Sequence, residues 1–309
     1  MNKQYSTAIT RLPRICALIF LALAWWPLAA VSATAEANNS TATQEISVAG
    51  QQAPINEVSN NEEKPLWELG VGVVGVSYPD YLGADERSVQ LLPLPYIRYR
   101  GESLRADQDG FRGLIYDGER LDINLSFGGS LPVKSDNNRA REGMDDLDLL
   151  LETGPNIEYT LWHNDDARLR FDLPLRGAFS LGSDVLRHQG WVSNPRLYYT
   201  RNLGDQRQLR ASFGPLFGDS RYHGYIYEVG PKDVTAGRHL YQAKSGYSGT
   251  RTSIILRQQR SDWMFGATFS YIDLNGAAND DSPLFRDDEY AAAGLFVSWI
   301  FAESKVKKD

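Results

Sequence analysis

The stretch from Tyr290 to Phe301 limits the possible folds more than any other part of the chain. One alternating set, Ala291, Ala293, Leu295, Val297, Trp299 and Phe301, is wholly apolar and ends in two aromatics. The other set, Tyr290, Ala292, Gly294, Phe296, Ser298 and Ile300, mixes small, polar and apolar residues. Side chains on a strand alternate between faces, so a two-residue period gives each set its own surface. At ~3.3 Å per residue, a tilted strand of this length crosses a bilayer core. The stretch reads as the closing strand of an outer-membrane β-barrel or, taken alone, as the last strand of a soluble sandwich. The rest of the chain has to decide.

Composition removes several alternatives. The 309 residues carry 39 acidic and 32 basic side chains, net −7, which argues against sequence-independent nucleic-acid binding because that needs a basic face. After the first 35 residues no run approaches 18 uninterrupted apolar residues, so a membrane helix is not expected there. A barrel remains allowed, because its lipid-facing residues are diluted by those facing the lumen. Residues 1–35 read as a signal peptide. Lys3, Arg11 and Arg14 form a positive start, Ile15 to Ala24 an apolar centre, and Ala33-Thr34-Ala35 a small-x-small cleavage site. Cleavage would remove the one cysteine, Cys16, and take the net charge from −7 to −10. Disulfide and thiolate chemistry would then be absent from the mature chain.

Residues 36–64 are polar and nearly free of large apolar side chains, as expected of a disordered periplasmic lead-in. From Trp67 alternation begins and recurs to Phe301, in a barrel expected over 65–302 with a short tail at 303–309. The clearest strand sets Leu121, Ile123, Leu125 and Phe127 against Asp122, Asn124, Ser126 and Gly128. Further strands are read near 90–100, 149–161, 168–179, 191–200, 209–217, 247–259 and 263–271. A weaker pair flanks Asp109-Gly110, at 103–107 and 111–116. The total is twelve, or ten if that pair does not span. Short connections alternate with long ones, as periplasmic turns alternate with outer loops, and an even count fits the same pattern. A soluble sandwich has little reason to sort its turns or to place Trp and Tyr near strand ends. The expected fold is therefore an all-β, antiparallel, up-and-down transmembrane barrel, with both termini in the periplasm.

The face opposite the apolar one is charged. It carries Arg98, Arg168, Arg170, Arg176, Arg196, Arg210, Arg251 and Arg257 against Glu68, Asp122, Glu152, Glu158 and Asp172. Glutamates of the sixth strand are expected to face arginines of the seventh, and opposite charges across a ladder contribute ~0.2–1 kcal/mol a pair. Such a lumen is either filled by salt bridges or forms a narrow pore that prefers anions.

Signals for chemistry are poor. His163, His188, His223 and His239 lack a nucleophile motif and a metal-ligand spacing, and are expected as solvated turn or loop residues. The runs Asp145-Asp146-Leu147-Asp148 and Asp280-Asp281 with Asp287-Asp288-Glu289 read as solvated loops, with a divalent-cation site as the alternative. No catalytic residue, cofactor or metal is expected.

Several segments together resemble the MipA/OmpV family of outer-membrane proteins. They are Ser77-Tyr78-Pro79 with Gly83-Ala84-Asp85-Glu86, Leu92-Pro93-Leu94-Pro95-Tyr96, and Leu121 to Ser126 with Gly128-Gly129-Ser130-Leu131-Pro132-Val133. Gly214-Pro215-Leu216-Phe217, Gly246 to Arg251 and Asp281-Ser282-Pro283-Leu284 complete the set, which covers roughly residues 66–301. The resemblance implies an outer-membrane barrel. It also implies a scaffold joining a lytic murein transglycosylase to a murein synthase, with adhesion or antibiotic entry as further family roles. The implied partners are outer-membrane lipid and lipopolysaccharide, the barrel-assembly machinery and the two murein enzymes. The resemblance supplies no catalytic residues. Gly294, Leu295, Val297, Trp299 and Phe301 are the expected assembly signal, internal to the chain because Ala302 to Asp309 follow it.

Overall fold

A computed structural model describes residues 64–101, 104–107, 110–182 and 186–308. The expected signal peptide, and the lead-in up to residue 63, lie outside the described residues. Twelve strands form one antiparallel sheet in chain order. They are β1 (Trp67–Pro79), β2 (Arg87–Arg100), β3 (Leu104–Asp107), β4 (Gly110–Asp117), β5 (Leu121–Ser130) and β6 (Leu149–His163). Then come β7 (Ala167–Leu181), β8 in two halves (Leu186–Ser193 and Arg196–Asn202), β9 (Arg207–Gly218), β10 (Gly246–Arg260), β11 (Trp263–Asp273) and β12 (Glu289–Glu303). β12 pairs with β1 from Ala293↔Ser77 to Glu303↔Glu68, so the sheet closes into a barrel. Closure at this seam leaves neither β1 nor β12 with a long free edge, which lipid could not satisfy with hydrogen bonds.

The alternation seen in the sequence becomes two surfaces. Val71, Phe127, Leu151, Leu175, Phe213, Ile254, Phe269 and Leu295 point outward and are exposed, as a lipid-facing belt requires. Trp263 and Trp299 are register partners near the short-turn end of that belt, stacked at 6.3 Å, and Phe301 meets Trp299 edge-on at 5.8 Å. Tryptophan prefers such interfacial depth because its body is apolar and its N–H is polar. The inward set is small or polar in the middle of the barrel and apolar toward the long-loop end. There Val76, Tyr78, Leu216, Ile272, Tyr290 and Ala292 form a buried cluster with Leu82 and Leu274.

Four features depart from simple alternation. β8 is one strand broken at Asn194-Pro195, and both halves pair with β7 and β9. Proline cannot donate to the ladder, and opposite the break Gly214 lets β9 approach so closely that a Cβ would lie 2.0 Å from the Pro195 carbonyl oxygen. The β3–β4 hairpin is short. β3 reaches only Tyr99 and Arg100 of β2, and β4 pairs with β5 only up to Gly113↔Leu125. Among the described residues the barrel has twelve strands, and ten of these are long. The stretch after β9, expected as a loop, contains helix α1 (Ser220–Tyr227), whose first turn is capped by Asp219 accepting from the Tyr222 N–H at 2.8 Å. Finally, the tail after β12 folds back. The Leu66 N–H donates to Val306 and the Ser304 N–H to Trp67, and Lys307–Lys308 pairs with Lys64–Pro65.

Candidate functional site

The candidate site is the barrel interior together with the loops that close one end of it. Three inward acids lie in register across adjacent strands: Asp122 on β5 opposite Glu158 on β6, which is opposite Asp172 on β7. The expectation that β6 glutamates face β7 arginines directly needs correction, because Glu158 faces Asp172 and Glu152 faces Ala178. The arginines reach the acids diagonally. Arg170 binds Glu158 at 3.0 Å and grips both Asp172 oxygens at 2.6 and 2.9 Å. Its guanidinium also lies over the Tyr198 ring at 5.4 Å. Glu158 further accepts from Asn124 (2.6 Å) and Asn156 (3.0 Å) and has Arg112 at 4.0 Å. This carboxylate is almost wholly buried, which a charge survives only with such a complement of partners.

The remaining inward residues fall into smaller groups. Arg176 approaches Glu152 at 3.7 Å and donates to Ser126 at 2.9 Å. Arg168 donates to Thr160 at 2.8 Å, and Arg196 donates to Asn194 and Tyr198. Arg98 and Arg100 meet Glu68 at 3.3 and 2.9 Å near the short-turn end, apart from the Glu158 group. Arg257 donates to Gln208, while Arg210 and Arg251 are buried on neighbouring strands. Thus Glu158, Arg170 and Asp172 come together, Arg176 and Glu152 form a second pair, and Arg98 and Arg257 stand apart from both. Of the expected assembly residues, Leu295, Trp299 and Phe301 point to the lipid side, Val297 shares that face, and Gly294 is buried against Thr268.

The long-loop end is closed by four connections: 80–86, 131–148, 219–245 and 274–288. Tyr81, Ala140, Tyr222, Ile226, Tyr227, Val229, Tyr241 and Leu284 form a common core with Leu150 and Ala178 from the barrel wall. Polar contacts run between every neighbouring pair of loops. Tyr81 Oη donates to the Leu284 carbonyl (2.7 Å), and Tyr227 Oη to that of Leu82 (2.8 Å). Arg141 donates to the Ile226 carbonyl (2.7 Å), and Arg238 to those of Ala140 (2.9 Å) and Glu142 (3.1 Å). These guanidiniums fasten backbone that a loop would otherwise expose, which is why the cap can be buried at all. Burial pulls the Arg141 guanidinium below its ordinary range and pushes the Asp80 carboxyl up, while the Tyr225 hydroxyl, also buried, is raised to about 12.

His223 corrects a sequence expectation. It is buried on α1 between the Lys244 carbonyl at Nδ1 (2.5 Å) and Ser248 Oγ at Nε2 (2.7 Å), and burial lowers its pKa. His188 also lies on a strand, half-buried against Phe179 and Trp191, whereas His163 and His239 are exposed. Three acids of the acidic runs pair with lysines. Asp145 meets Lys232, Asp146 meets Lys134 and Asp281 meets Lys244, each at 2.6 Å. Among the described residues no three His, Asp, Glu or Cys side chains converge on a metal-sized site. Sequence reasoning missed the cap residues. The one local signal was Asp219, a helix-capping residue type placed ahead of Tyr222, His223, Ile226 and Tyr227 at helical spacing.

The family model described as "MltA-interacting protein MipA" matches residues 71–301, which is nearly the whole barrel. The chain belongs to that family. It is an outer-membrane β-barrel. Solved barrels align over most of their length at low identity. The NanC porin matches over 74% of this chain and 98% of its own (10% identity, TM-score 0.39). OmpT of Vibrio cholerae matches over 76% and 97% (8%, 0.37), and the toluene transporter TodX of Pseudomonas putida over 82% and 95% (9%, 0.34). No curated protein matches the chain.

Proposed function

We propose that the protein works by binding rather than by chemistry or bulk transport. It holds murein-hydrolysing and murein-synthesising enzymes at the outer membrane, with its short-turn end and both termini in the periplasm. The observation that carries this reading is the closed barrel: a lumen crossed by the Glu158–Arg170–Asp172 network under a cap with its own buried core. A lumen closed in this way along its axis leaves the two ends as surfaces for protein partners. Support for the partner class comes from the family, whose description names an MltA-interacting protein. Support for the surface comes from the short-turn end, where turns 203–206 and 261–262 flank an open cleft of about 460 Å³. Arg207, Gln206, Gln259 and Arg260 line it, offering guanidinium and amide donors to a partner's carboxylates.

The test is co-purification from crosslinked membranes of the wild type and of Arg207→Glu/Arg260→Glu. Murein transglycosylase and synthase should accompany the wild type and be depleted from the variant at equal barrel abundance. Their absence from the wild-type eluate, with only assembly factors and lipopolysaccharide present, overturns the scaffold reading.

A further inference from the structure

The short β3–β4 hairpin leaves part of the barrel wall unbuilt. Above Tyr99 no strand among the described residues pairs with the β3 side of β2, and Ser126 to Ser130 of β5 pair with β6 on one edge only. The unbuilt part is about 17 Å long measured along β5, at ~3.4 Å per residue. The opening has a lintel. Asn138 donates to Asp80 (3.0 Å), and Arg139 donates to Glu86 through both its backbone N–H (2.9 Å) and Nε (2.7 Å). It is therefore a framed window rather than a torn edge: β2 and β5 form its sides, the hairpin its sill and the cap its top.

The side formed by β2 differs in chemistry from the rest of the wall. Val89 and Leu91 face the lipid at 81% and 74% exposure, and Leu92 and Leu94, on the inward face, are only half-buried. Across the middle of the barrel strands such as β5 and β7 turn polar residues inward; here the inward face continues into an apolar strip. Val74 of β1 is the register partner of both Leu92 and Phe296, and Phe296 packs with Met264, Tyr96 and Ile300. Pro93 lies between Leu92 and Leu94 and Pro95 follows them, and proline has no N–H to offer an added strand. A second β-strand docking here would forgo those hydrogen bonds, whereas a hydrocarbon chain requires none.

We propose that the window admits an acyl chain of a membrane lipid from the bilayer onto the interior strip Leu92, Leu94, Val74 and Phe296. The barrel then holds lipid through its side wall while its axis stays closed. This assignment rests on the wall geometry and is independent of the scaffold reading. The test uses the full chain folded into vesicles of a single unsaturated phosphatidylcholine, with a benzophenone amino acid at Leu92 or Leu94. The same group at Leu295 serves as the lipid-facing reference, and at Tyr198 as the interior reference away from the window. After irradiation, mass spectrometry should find lipid adducts at Leu92 and Leu94 about tenfold above Tyr198, since lipid reaches a closed interior nowhere else. Adducts at Leu295 alone overturn the proposal, and so does crosslinking of Leu94 to a second protein chain. Heat-modifiable gel mobility shows that each variant has folded into the bilayer.

Discussion

Replacing Arg170 with methionine tests whether the interior is held by charge pairing. The guanidinium touches Glu158 at 3.0 Å and Asp172 at 2.6 and 2.9 Å, and those two acids are register partners with Asp122 next in the row. Methionine keeps much of the side-chain length and removes the charge, leaving carboxylates side by side in a space with little water. Breaking a buried pair while one charge stays behind costs about 3–5 kcal/mol. Arg112 stays 4.0 Å from Glu158 and absorbs part of that cost, so the lower half of the range is expected. Urea unfolding in vesicles, followed by tryptophan fluorescence and by gel mobility, measures the loss. Adding Asp172→Asn and Glu158→Gln to the variant should recover most of it, since the loss comes from unpaired charge rather than from packing. A loss under about 1 kcal/mol, or one that the neutralising substitutions leave unchanged, refutes the reasoning.

Three further outcomes are expected. His223 is held neutral by burial, with a pKa below its ordinary 6.5, so the unfolded state binds a proton that the folded state does not. Cap stability, read by amide exchange of residues 219–245, should fall as pH drops below about 6.5 and level off beneath the lowered value; His223→Asn should remove that slope, and an unchanged slope counts against it. Arg141→Ala with Arg238→Ala removes donors to the carbonyls of Ile226, Ala140 and Glu142. Charged hydrogen bonds contribute about 1.5–3 kcal/mol each, so loop proteolysis should rise steeply while the β-sheet signal stays constant; equal protease resistance would show that the cap does not depend on these clasps. Phe301→Asp places a charge on the lipid face beside Trp299 and should lower surface abundance, and wild-type levels would remove Phe301 from the assembly signal.

The parts of the fold legible in the sequence were those set by period and solvent. Alternation in Leu121 to Leu131 or Trp263 to Tyr271 needs no knowledge of neighbours, because lipid on one side and polar surroundings on the other dictate it residue by residue. The inward acids and arginines could be identified as a set for the same reason. Which acid meets which arginine could not, because register decides it. A bulge between Thr160 and Trp162 and interruptions such as Asn194-Pro195 shift partners without changing the period. The cap was illegible for a different reason. Its core joins Tyr81, Tyr227 and Leu284, residues far apart in sequence and without periodicity, and its hydrogen bonds run to backbone carbonyls that carry no residue identity.

The same limit explains why the weakest strands in the sequence matter most to the wall. The segments flanking Asp109-Gly110 have few alternating positions and read as the weakest pair of the twelve, and the structure makes them short. A membrane barrel cannot tolerate that shortfall where an edge rich in donors would face lipid. This chain places Leu91-Leu92-Pro93-Leu94-Pro95 on the side left unbuilt: apolar on both faces, with two donors deleted. Next to it, the cap spans the top of the gap through Asn138 and Arg139. The apolar run breaks the apolar-out, polar-in alternation that strands such as β5 and β7 keep, and it does so where β2 has lost its neighbour. Restoring alternation there by Leu92→Ser and Leu94→Ser should leave the barrel folded, because both side chains are only half-buried. It should also abolish lipid crosslinking from the interior strip at Phe296. Persistent crosslinking in that variant would mean that the run serves packing within the wall and that the departure from alternation has another cause.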